Sequence, residues 1–540
     1  MASRRPPAAS EKPQPHGLLR RLYADGCQFS FPRGVPSPSL SAAVGQFASP
    51  FRADGSSACR APAAELERPK SSRWGRPLFP RVPSGRRLLA GVSAFVASAT
   101  IFVTACGPAA APAANRPVAP TAGADTATSA QSPSSDAAPS ATELTVWYFD
   151  KVSMETVIPL FEQSHPGVKV NFVEQPFGDM SKKYLAALAA KQGVPDVIGL
   201  DTSMVGQFLD AGENLMAEPY SAGELKKDFV DWKFNATTTS SGQMTAMPWD
   251  VATGVMFYRP DVFKSAGLPS EPDQVARSLA TWDDFIKAGQ VIKDKSGGQT
   301  AIVGNEHDIF NAGFWQNGGT VVQDSKIVLV PEGLQPLQTA VKAKNAAIGG
   351  NVPAWSERWA PALQSGKIAT VIMGGWMLGN LQNLIDPDGA GNWRVTSAPG
   401  GAFSNGGTYI QIPQLAEHKQ LAWEFTRFLT TDTEALNTVF QKTGIVPAYK
   451  PAWDSPIYDQ PVAYLGGQPA FRLMVNLAQQ VKPLAYSAVD ALGTDLLNAQ
   501  VDLAIGGKAA PDQALQTAAM QLQERAQRAT DLKLSVATGS

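Results

Sequence analysis

The chain has 540 residues, of which 44 % are hydrophobic and 17 % charged, so it can bury a large core and wholesale disorder is excluded. Residues 1–105 hold 15 Lys+Arg and 5 Asp+Glu, whereas the remaining residues hold 31 and 42. This acidic body argues against a nucleic-acid-binding protein, whose affinity depends on neutralising phosphates. The three cysteines cannot build a disulfide framework, and their spacing matches no zinc site.

The first 105 residues are predicted to be an unstructured extension followed by an export signal. Residues 1–85 are rich in Pro, Arg, Ser and Ala and show no apolar period. Residues 88–103 (LLAGVSAFVASATIFV) are uncharged and follow Arg86-Arg87. They are short for a bilayer-spanning helix, which needs about 20 apolar residues, and have the proportions of a signal-peptide core. Because more than 80 residues precede this core, we expect residues 1–77 to lie upstream of the true translation start.

Residues 103–107 (VTACG) end the apolar core and resemble a bacterial lipobox, with a branched residue, two small residues and then Cys106. The resemblance implies cleavage before Cys106 and a lipid on its sulfur, which anchors a protein without a spanning helix. Residues 106–142 are then a lipidated cysteine and a tether rich in Ala, Pro, Ser and Thr. The alternative is a chance cysteine after an apolar stretch, and the export route, Sec or Tat, stays open.

From residue 143 onward, strand and helix patterns alternate. The first predicted elements are a strand at 144–149, a helix at 153–164, a strand at 168–172, a helix at 180–192 and a strand at 195–201. This alternation predicts a parallel sheet covered by helices. Ligands bind such sheets beyond the carboxyl ends of the strands, so Tyr148, Asp150 and Asp201 should border one crevice.

Later segments continue in the same style. They are a helix at 282–293 with Thr281 as its N-cap, a strand at 367–373, and helices at 421–429, 490–505 and 511–529. Residues 306–308 (EHD) have metal-ligand side chains, but no spaced His or Cys pair supports a metal site. We predict a solvated loop there.

Six strings resemble the extracellular solute-binding proteins of bacterial ABC importers, in the carbohydrate-binding branch (family 1) that includes the maltose-binding protein. They are PDVIGLD (195–201), MPWDVATGVMFYRPDVFKSAGLP (247–269), TWDDF (281–285), FWQNGG (314–319), GKIATVIMGGWMLGNL (366–381) and FQKTGIVPAY (440–449). Each string is weak alone, but the ordered set covers nearly the whole chain after the tether.

The resemblance implies an α/β fold of two lobes, the periplasmic-binding-protein-like fold. Each lobe would be a helix-covered, mostly parallel sheet, with the ligand cleft at the hinge between them. Lobe one would comprise residues 143–252 and 407–446, and lobe two residues 253–406 and 447–540. Hinge closure around the ligand is a known motion of such proteins.

A sugar site needs an aromatic face for the C–H groups of the sugar and carboxylates or amides for its hydroxyls. The candidate ligand-binding residues are Tyr148, Asp150, Asp201, Trp249, Asp250, Trp315, Gly375, Trp376 and Tyr409. The resemblance places Gly375-Trp376 at the cleft and Asp250 at the first lobe crossing. Packing in the core or within a lobe is the alternative for Trp376 and Trp315, and hinge support for Trp249. The alternative for the acids is a helix cap or a hinge hydrogen bond. Trp355 and Trp359 are assigned to core or groove packing.

The leading hypothesis is a lipid-anchored solute-binding component of an ABC importer, on the outer face of the cell membrane. It would capture a mono- or oligosaccharide and deliver it to a membrane permease. We expect a monomer with no enzyme activity, cofactor, metal or nucleic acid. A binder of a polyol phosphate or a polyamine stays open. So does a secreted glycoside hydrolase, which needs two carboxylates about 5–9 Å apart.

Overall fold

The computed structural model describes residues 142–239, 241–530 and 532–537. The predicted extension, the signal sequence, Cys106 and the tether up to residue 141 lie outside the described residues. The expectations for these segments stay predictions.

Helices alternate with short strands along the described residues. The α-helices of the described residues are α1 (Lys151–Ser164), α2 (Phe177–Ala190), α3 (Thr202–Val205), α4 (Asp231–Asn235), α5 (Pro260–Ser265), α6 (Pro272–Ser278), α7 (Trp282–Lys295), α8 (Glu306–Gln316), α9 (Leu329–Asn345), α10 (Trp359–Gln364), α11 (Met377–Asn380), α12 (Lys419–Thr431), α13 (Thr433–Thr443), α14 (Phe471–Ala478), α15 (Asp490–Ile505) and α16 (Pro511–Ala529). Short 3₁₀ turns lie at Gly206–Ala211, Ala222–Asp228, Lys450–Asp454, Pro456–Asp459 and Ala463–Leu465, and a π-helical turn at Leu381–Ile385.

The strands are β1 (Thr142–Tyr148), β2 (Val168–Glu174), β3 (Val197–Asp201), β4 (Met247–Pro248), β5 (Asp250–Val251), β6 (Gly254–Tyr258), β7 (Val322–Gln323), β8 (Lys326–Ile327), β9 (Thr370–Gly374), β10 (Arg394–Thr396), β11 (Thr408–Gln411), β12 (Val446–Pro447) and β13 (Ser535–Val536). Besides the two main sheets, β12 pairs with β5, and β13, β8 and β7 form a small sheet. The predicted elements are therefore present, with boundaries moved by up to three residues.

The larger sheet has five strands in the order β2-β1-β3-β11-β4. As the alternation of strands and helices predicts, β1 pairs in parallel with β2 and β3. β11 instead runs antiparallel to its neighbours β3 and β4. The reason is that β11 returns the chain from the other sheet, whereas a parallel neighbour requires a helical crossover on the same sheet.

The second sheet has the order β10-β6-β9, and its named strands are antiparallel. The expected parallel order occurs in this lobe as isolated bridges, which join Ala301 to Ile368 and Val303 to Gly349. β6 leads away from the first chain crossing at Gly254, whereas β9 leads back to it at Gly374. β6 and β9 therefore run in opposite directions. The residues of β6 are all buried, and this strand is the central one of the sheet.

Three chain segments cross side by side between the two sheets. The first crossing contains β5, and the second precedes β11; the backbone N–H of Asn405 donates to the carbonyl of Ala252 at 2.9 Å. The third crossing contains β12, which pairs with β5, and the N–H of Ala448 donates to the carbonyl of Trp249 at 2.9 Å. Backbone hydrogen bonds thus hold the crossings together as one unit.

The carboxyl-terminal helices α15 and α16 pack with α8 and α9 around a separate apolar cluster. Phe310, Leu337, Leu497, Leu515 and Leu522 belong to it and are buried. The predicted limits of both closing helices are confirmed. None of the helices in the described ranges has the length and the hydrophobicity needed to cross a membrane.

Residues 306–308 form the first turn of α8, so the prediction of a solvated loop is wrong. Asn305 caps the helix, because its side-chain oxygen accepts from the N–H of His307 at 2.9 Å. Glu306 is 2 % exposed and lies 3.5 Å from the ammonium of Lys344. The Nδ1 of His307 lies 2.8 Å from a carboxylate oxygen of Asp502 on α15. These partners come from distant elements, and only the Asn305 cap could be recognised from sequence.

Gly199 of β3 lies directly against the buried ring of Tyr148. A Cβ at Gly199 would lie 2.3 Å from that ring, which has no room to move. We expect Gly199→Ala to destabilise the fold by about 1–3 kcal/mol through overpacking. Gly178→Ala in α2 is the matched control, because its added Cβ meets no atom within 4 Å. Urea unfolding followed by circular dichroism checks the pair, and an equal stability of both variants would contradict the packing argument.

Candidate functional site

The strand ends converge as the parallel order predicts. Tyr148 ends β1, and Asp201 ends the neighbouring strand β3. On the other side of β3, Asp201 pairs with Thr408 at the start of β11. The carboxyl ends of the strands therefore meet the second chain crossing, and the site is built from this junction.

Tyr148 and Trp249 form a buried floor beneath the junction. Their ring centroids are 5.2 Å apart, and both residues are 2 % exposed. The hydroxyl of Tyr148 lies 3.0 Å from the side-chain oxygen of Thr408, and burial raises its pKa well above the ordinary value. Both residues therefore lie in the core beneath the junction.

Asp250 is buried and joins two crossings. One oxygen of its carboxylate accepts from the backbone N–H of Thr408. Burial raises the pKa of Asp250 to about 6, although the charge of Lys233 and the Thr408 hydrogen bond oppose this shift. Asp250 thus makes a hydrogen bond within the hinge, and folding removes water from around its carboxylate.

Lys233 is a part of the site that the sequence did not indicate. It lies on α4, is 0 % exposed, and its ammonium has no hydrogen-bond partner among the described residues. The Nζ lies 4.1 Å from the ring centroid of Tyr409, and burial lowers its pKa to about 8. Asp250 and Asp201 are the charges that oppose this shift. A lysine between Trp232 and Phe234 shows no pattern that would reveal this burial.

Tyr409 is wholly buried in β11 and holds this lysine in place. Its hydroxyl donates to the backbone carbonyl of Lys233 at 3.2 Å. The ring of Tyr486 packs edge-on against it, with centroids 5.8 Å apart. Burial raises the pKa of Tyr409 well above the ordinary value. In this structure Tyr409 lies behind the site surface.

The two acids at the strand ends both cap helices. Asp150 accepts from the N–H groups of Val152 and Ser153 at 3.0 and 3.3 Å, and Ser153 also donates its hydroxyl. Asp201 accepts from the N–H and the hydroxyl of Ser203 at 2.8 and 2.6 Å through one oxygen. The other oxygen of Asp201 faces Gly406, 3.6 Å from where a Cβ would lie. Asp201 therefore keeps an oxygen for the site.

Trp376 and Asp201 meet at Gly406. The indole N–H of Trp376 donates to the carbonyl of Asn405 at 2.8 Å, and its nitrogen lies 3.5 Å from the Cβ position of Gly406. Trp376 follows β9 in the second sheet, whereas Asp201 ends β3 in the first. Because Gly406 has no side chain, an indole and a carboxylate from opposite sheets approach the same point.

A narrow cleft runs along the crossings beside Trp376. The residues that line it are Asp250, Val251, Ala252, Thr253, Gly375, Trp376, Gly444, Ile445, Val446 and Met474. The N–H of Gly375 donates to the carbonyl of Thr253 at 2.8 Å, so β9 is joined to the first crossing at this point. A side chain at Gly375 would collide with Met474. The structure thus brings Gly375, Trp376 and Asp250 to one cleft.

Trp315 lies apart from this group. Its ring stacks on buried Phe403 with centroids 5.9 Å apart, and it packs between two apolar clusters. This is the packing arrangement that the sequence left open as the alternative. Trp355, by contrast, is 45 % exposed and its ring lies nearly parallel to Trp376. The sequence predicted packing for Trp355, since exposure is not visible in the spacing of two tryptophans.

In the described part of the chain, no group of three or more His, Cys, Asp or Glu side chains could hold a metal ion. Backbone N–H groups and hydroxyls instead satisfy the acids of the site, and the charge of Lys233 opposes the upward pKa shift of Asp250. The arrangement offers the half-buried indole of Trp376 and a carboxylate oxygen of Asp201, which are groups for binding.

Comparisons with known proteins agree with this geometry. A family model described as bacterial extracellular solute-binding protein matches residues 157–465. An arabinooligosaccharide-binding protein of Bacillus subtilis (strain 168) is 26 % identical over 410 residues, 71 % of this chain and 92 % of the relative. A lactose-binding protein of Rhizobium radiobacter is 24 % identical over 362 residues, 64 % of this chain and 84 % of the relative. The crystal structure of an extracellular solute-binding protein of family 1 superimposes with a TM-score of 0.65 at 25 % identity, over 71 % of this chain and all of that one. The two-lobed fold expected from the resemblance is confirmed.

The raised pKa of Asp250 predicts a pH dependence of stability. The folded protein binds this proton more tightly than the unfolded chain, whose Asp titrates near pH 4. The stability from this group is therefore fully present below pH 4 and lost as the pH rises through about 6. Asp250→Asn removes the titration and keeps an acceptor for Thr408. We take the free energy of unfolding of the wild type minus that of Asp250→Asn. This difference should fall by about 1–3 kcal/mol as the pH rises from 4 to 7.

Urea unfolding at pH 4, 5, 6 and 7 measures this difference. The exposed Asp388→Asn controls for the loss of a carboxylate as such. A difference between wild type and Asp250→Asn that does not change with pH would contradict the assignment.

Proposed function

The chain belongs to the bacterial extracellular solute-binding proteins, which are binding proteins and not enzymes, and on that premise we propose that it captures a sugar for an ABC importer. The observation that carries the proposal is the meeting of Trp376 and Asp201 at Gly406. An indole face packs against the C–H groups of a sugar, and a carboxylate oxygen accepts from its hydroxyls. The two groups come from opposite sheets, so a ligand held by both would join the lobes.

The charges near the site favour a neutral solute. A polyol phosphate needs several cationic or N–H donors, yet the described residues that line the cleft include neither lysine nor arginine. Lys233 is buried, and the nearby charges of Asp250 and Asp201 already act on it.

A polyamine needs several free carboxylates. Here Asp150 is occupied as a helix cap, and Asp250 is bonded to Thr408. A neutral sugar fits this balance better than either alternative.

The relatives support an oligosaccharide as the ligand. One is named for arabino-oligosaccharides and the other for lactose, and both match most of their own length to this chain. We therefore propose a neutral oligosaccharide of two or more rings. The sugar and its linkage are to be decided by binding measurements.

We propose that capture proceeds by closure about the three crossings. Gly406 and Gly407 have φ values of 103° and 96°, which side-chain-bearing residues rarely adopt, so both can accommodate a turn of the chain at the hinge. In this proposal lobe one comprises residues 143–252 and 407–446, and lobe two residues 253–406 and 447–540. These limits are chosen because they fall on the hydrogen-bonded crossings.

We also propose that a lipid on Cys106 holds the protein on the outer face of the membrane, where it delivers the sugar to a permease as a monomer. The support is the VTACG string after an apolar core and before a long tether. In a bacterial host, metabolic labelling with a tagged fatty acid should mark the wild type, and Cys106→Ser should abolish the label. Equal labelling of both proteins would overturn the anchor without touching the sugar proposal.

Ligand-dependent unfolding tests the main proposal. The purified protein is heated with arabinose, arabinotriose, galactose, lactose, spermidine or glycerol 3-phosphate. A ligand that binds only the folded state at one hundred times its Kd adds about 2.7 kcal/mol of stability. We expect a raised midpoint with a sugar, and sugar recovered intact afterwards. A shift with spermidine or glycerol 3-phosphate alone would sink the carbohydrate assignment.

Two substitutions at Trp376 separate the ring from its hydrogen bond. Trp376→Ala removes the aromatic face, and we expect sugar affinity to fall about 10- to 100-fold, since a tenfold loss is about 1.4 kcal/mol. Trp376→Phe keeps a face but loses the N–H bond to Asn405, and we expect most of the affinity to remain. Isothermal titration measures both. A similar loss in the two variants would assign Trp376 to hinge support instead.

A further inference from the structure

We propose that Lys233 is a positioning residue of the sugar site, whose buried ammonium is a built-in counter-cation for Asp201 and Asp250 and makes the site prefer neutral sugars to cationic solutes. This inference rests on the proposed sugar-binding function and adds to it a determinant of specificity. The sequence pattern did not indicate Lys233. Three observations on its surroundings point to this role.

The first observation is the kind of place that the ammonium occupies. Its Nζ lies 4.1 Å from the ring centroid of Tyr409, and Asp250 and Asp201 are the acids whose charges act on it. An aromatic face near carboxylates is the environment in which proteins bind a cationic amine. Lys233 therefore fills, with its own side chain, a place that the ammonium group of a polyamine would need.

The second observation is the lack of hydrogen bonds to the ammonium. Lys233 is 0 % exposed, and its Nζ has no hydrogen-bond partner among the described residues. A lysine that serves only the packing of a core would satisfy its three N–H donors. Packing therefore does not explain an ammonium at this position, whereas a counter-charge for the site does.

The third observation is the connection of Lys233 to the chain crossings. Its Nζ lies directly against the second crossing, because a Cβ on Gly407 would lie 2.7 Å from it. The N–H of Val230, which precedes α4, donates to the carbonyl of Ala448 in the third crossing at 3.1 Å. α4 is thus tied to one crossing and directs its ammonium at another.

These contacts let Lys233 act through the acids of the junction. Its positive charge favours the ionised form of Asp250 and Asp201 and offsets part of their combined negative charge. Asp201 can then accept from a sugar hydroxyl, while a positively charged solute gains less from the site. Without the ammonium, the two carboxylates would repel each other and attract a cation.

The main test compares the affinities for a sugar and for spermidine by isothermal titration of the whole protein. The sugar is whichever of arabinose, arabinotriose, galactose and lactose binds the wild type most tightly. Lys233→Met keeps the length of the side chain and removes its charge. At about pH 7 we expect this variant to bind the sugar about tenfold more weakly and spermidine about tenfold more tightly than the wild type does. Lys227→Met is the matched control, since Lys227 is exposed in the preceding 3₁₀ turn, and it should change neither affinity.

A pH profile separates the effect of charge from an effect of packing. Burial lowers the pKa of Lys233 to about 8, although the charges of Asp250 and Asp201 oppose this shift. Asp250, with a pKa of about 6, is ionised above pH 7. Burial also raises the pKa of three neighbouring tyrosines, whose hydroxyls stay neutral in this range, namely Tyr148, Tyr409 and Tyr486.

The proposed role needs the ionised form of Lys233. The wild-type Kd for the sugar should therefore rise as the pH increases through about 8, by about tenfold between about pH 7 and 9.5. In Lys233→Met the same Kd should change less than about twofold over this range, because the titrating group is gone.

Each other outcome overturns the inference. An unchanged ratio of the sugar and spermidine affinities in Lys233→Met would remove the role in specificity. A sugar affinity that is lower by the same factor at every pH would make Lys233 a support for the fold. If circular dichroism shows that Lys233→Met does not fold, the wild-type profile decides, and a constant Kd across it would overturn the effect of charge. In all these cases the sugar-binding function stands, whereas a wild type that binds none of the four sugars would refute that function and the inference with it.

Discussion

A buried carboxylate joins the chain crossings on which the rest of the structure depends. Asp250 of the first crossing accepts from the backbone N–H of Thr408 in the second, and β12 of the third pairs with the same strand as Asp250. The bond lies in a poorly solvated region, so it is strong when made and costly to lose. It determines where the glycines of the second crossing lie, and with them the point at which the two sheets face each other.

The aromatic residues around this junction fall into two layers. Tyr148, Trp249 and Tyr409 are buried and fix the strands and Lys233 from beneath. Trp376 is half-buried and Trp355 is exposed, and their rings lie nearly parallel with centroids 6.2 Å apart. A chain rich in tryptophan thus uses some of its rings for the hydrophobic effect and others for a surface. Residue type alone does not separate these two roles, because both require the same apolar ring.

The charged residues near the junction also fall into two groups, one at helix starts and one buried. Asp150 and Asp201 sit at helix starts, where backbone N–H groups satisfy them. Asp250 and Lys233 are buried and oppose each other's desolvation without a direct hydrogen bond. Desolvation therefore governs both pKa shifts, upward for the acid and downward for the lysine. A carboxylate oxygen of Asp201 lies 3.6 Å from the Cβ position of Gly406.

By itself the sequence determined the closing helices 490–505 and 511–529 and the parallel start of the first sheet, because apolar periodicity, caps and strand–helix alternation are local. The two-lobed class of the fold came from the resemblance of six ordered strings to a known family. The strand pattern predicted a crevice at Asp201, and the resemblance implied a cleft at Trp376 and Asp250. Only the tertiary structure decided that β11 reverses direction, that Glu306 is buried beside Lys344, that Lys233 is buried and that Trp355 is exposed. Each of these depends on partners more than 30 residues away or on solvent access, and neither quantity is written in a local pattern.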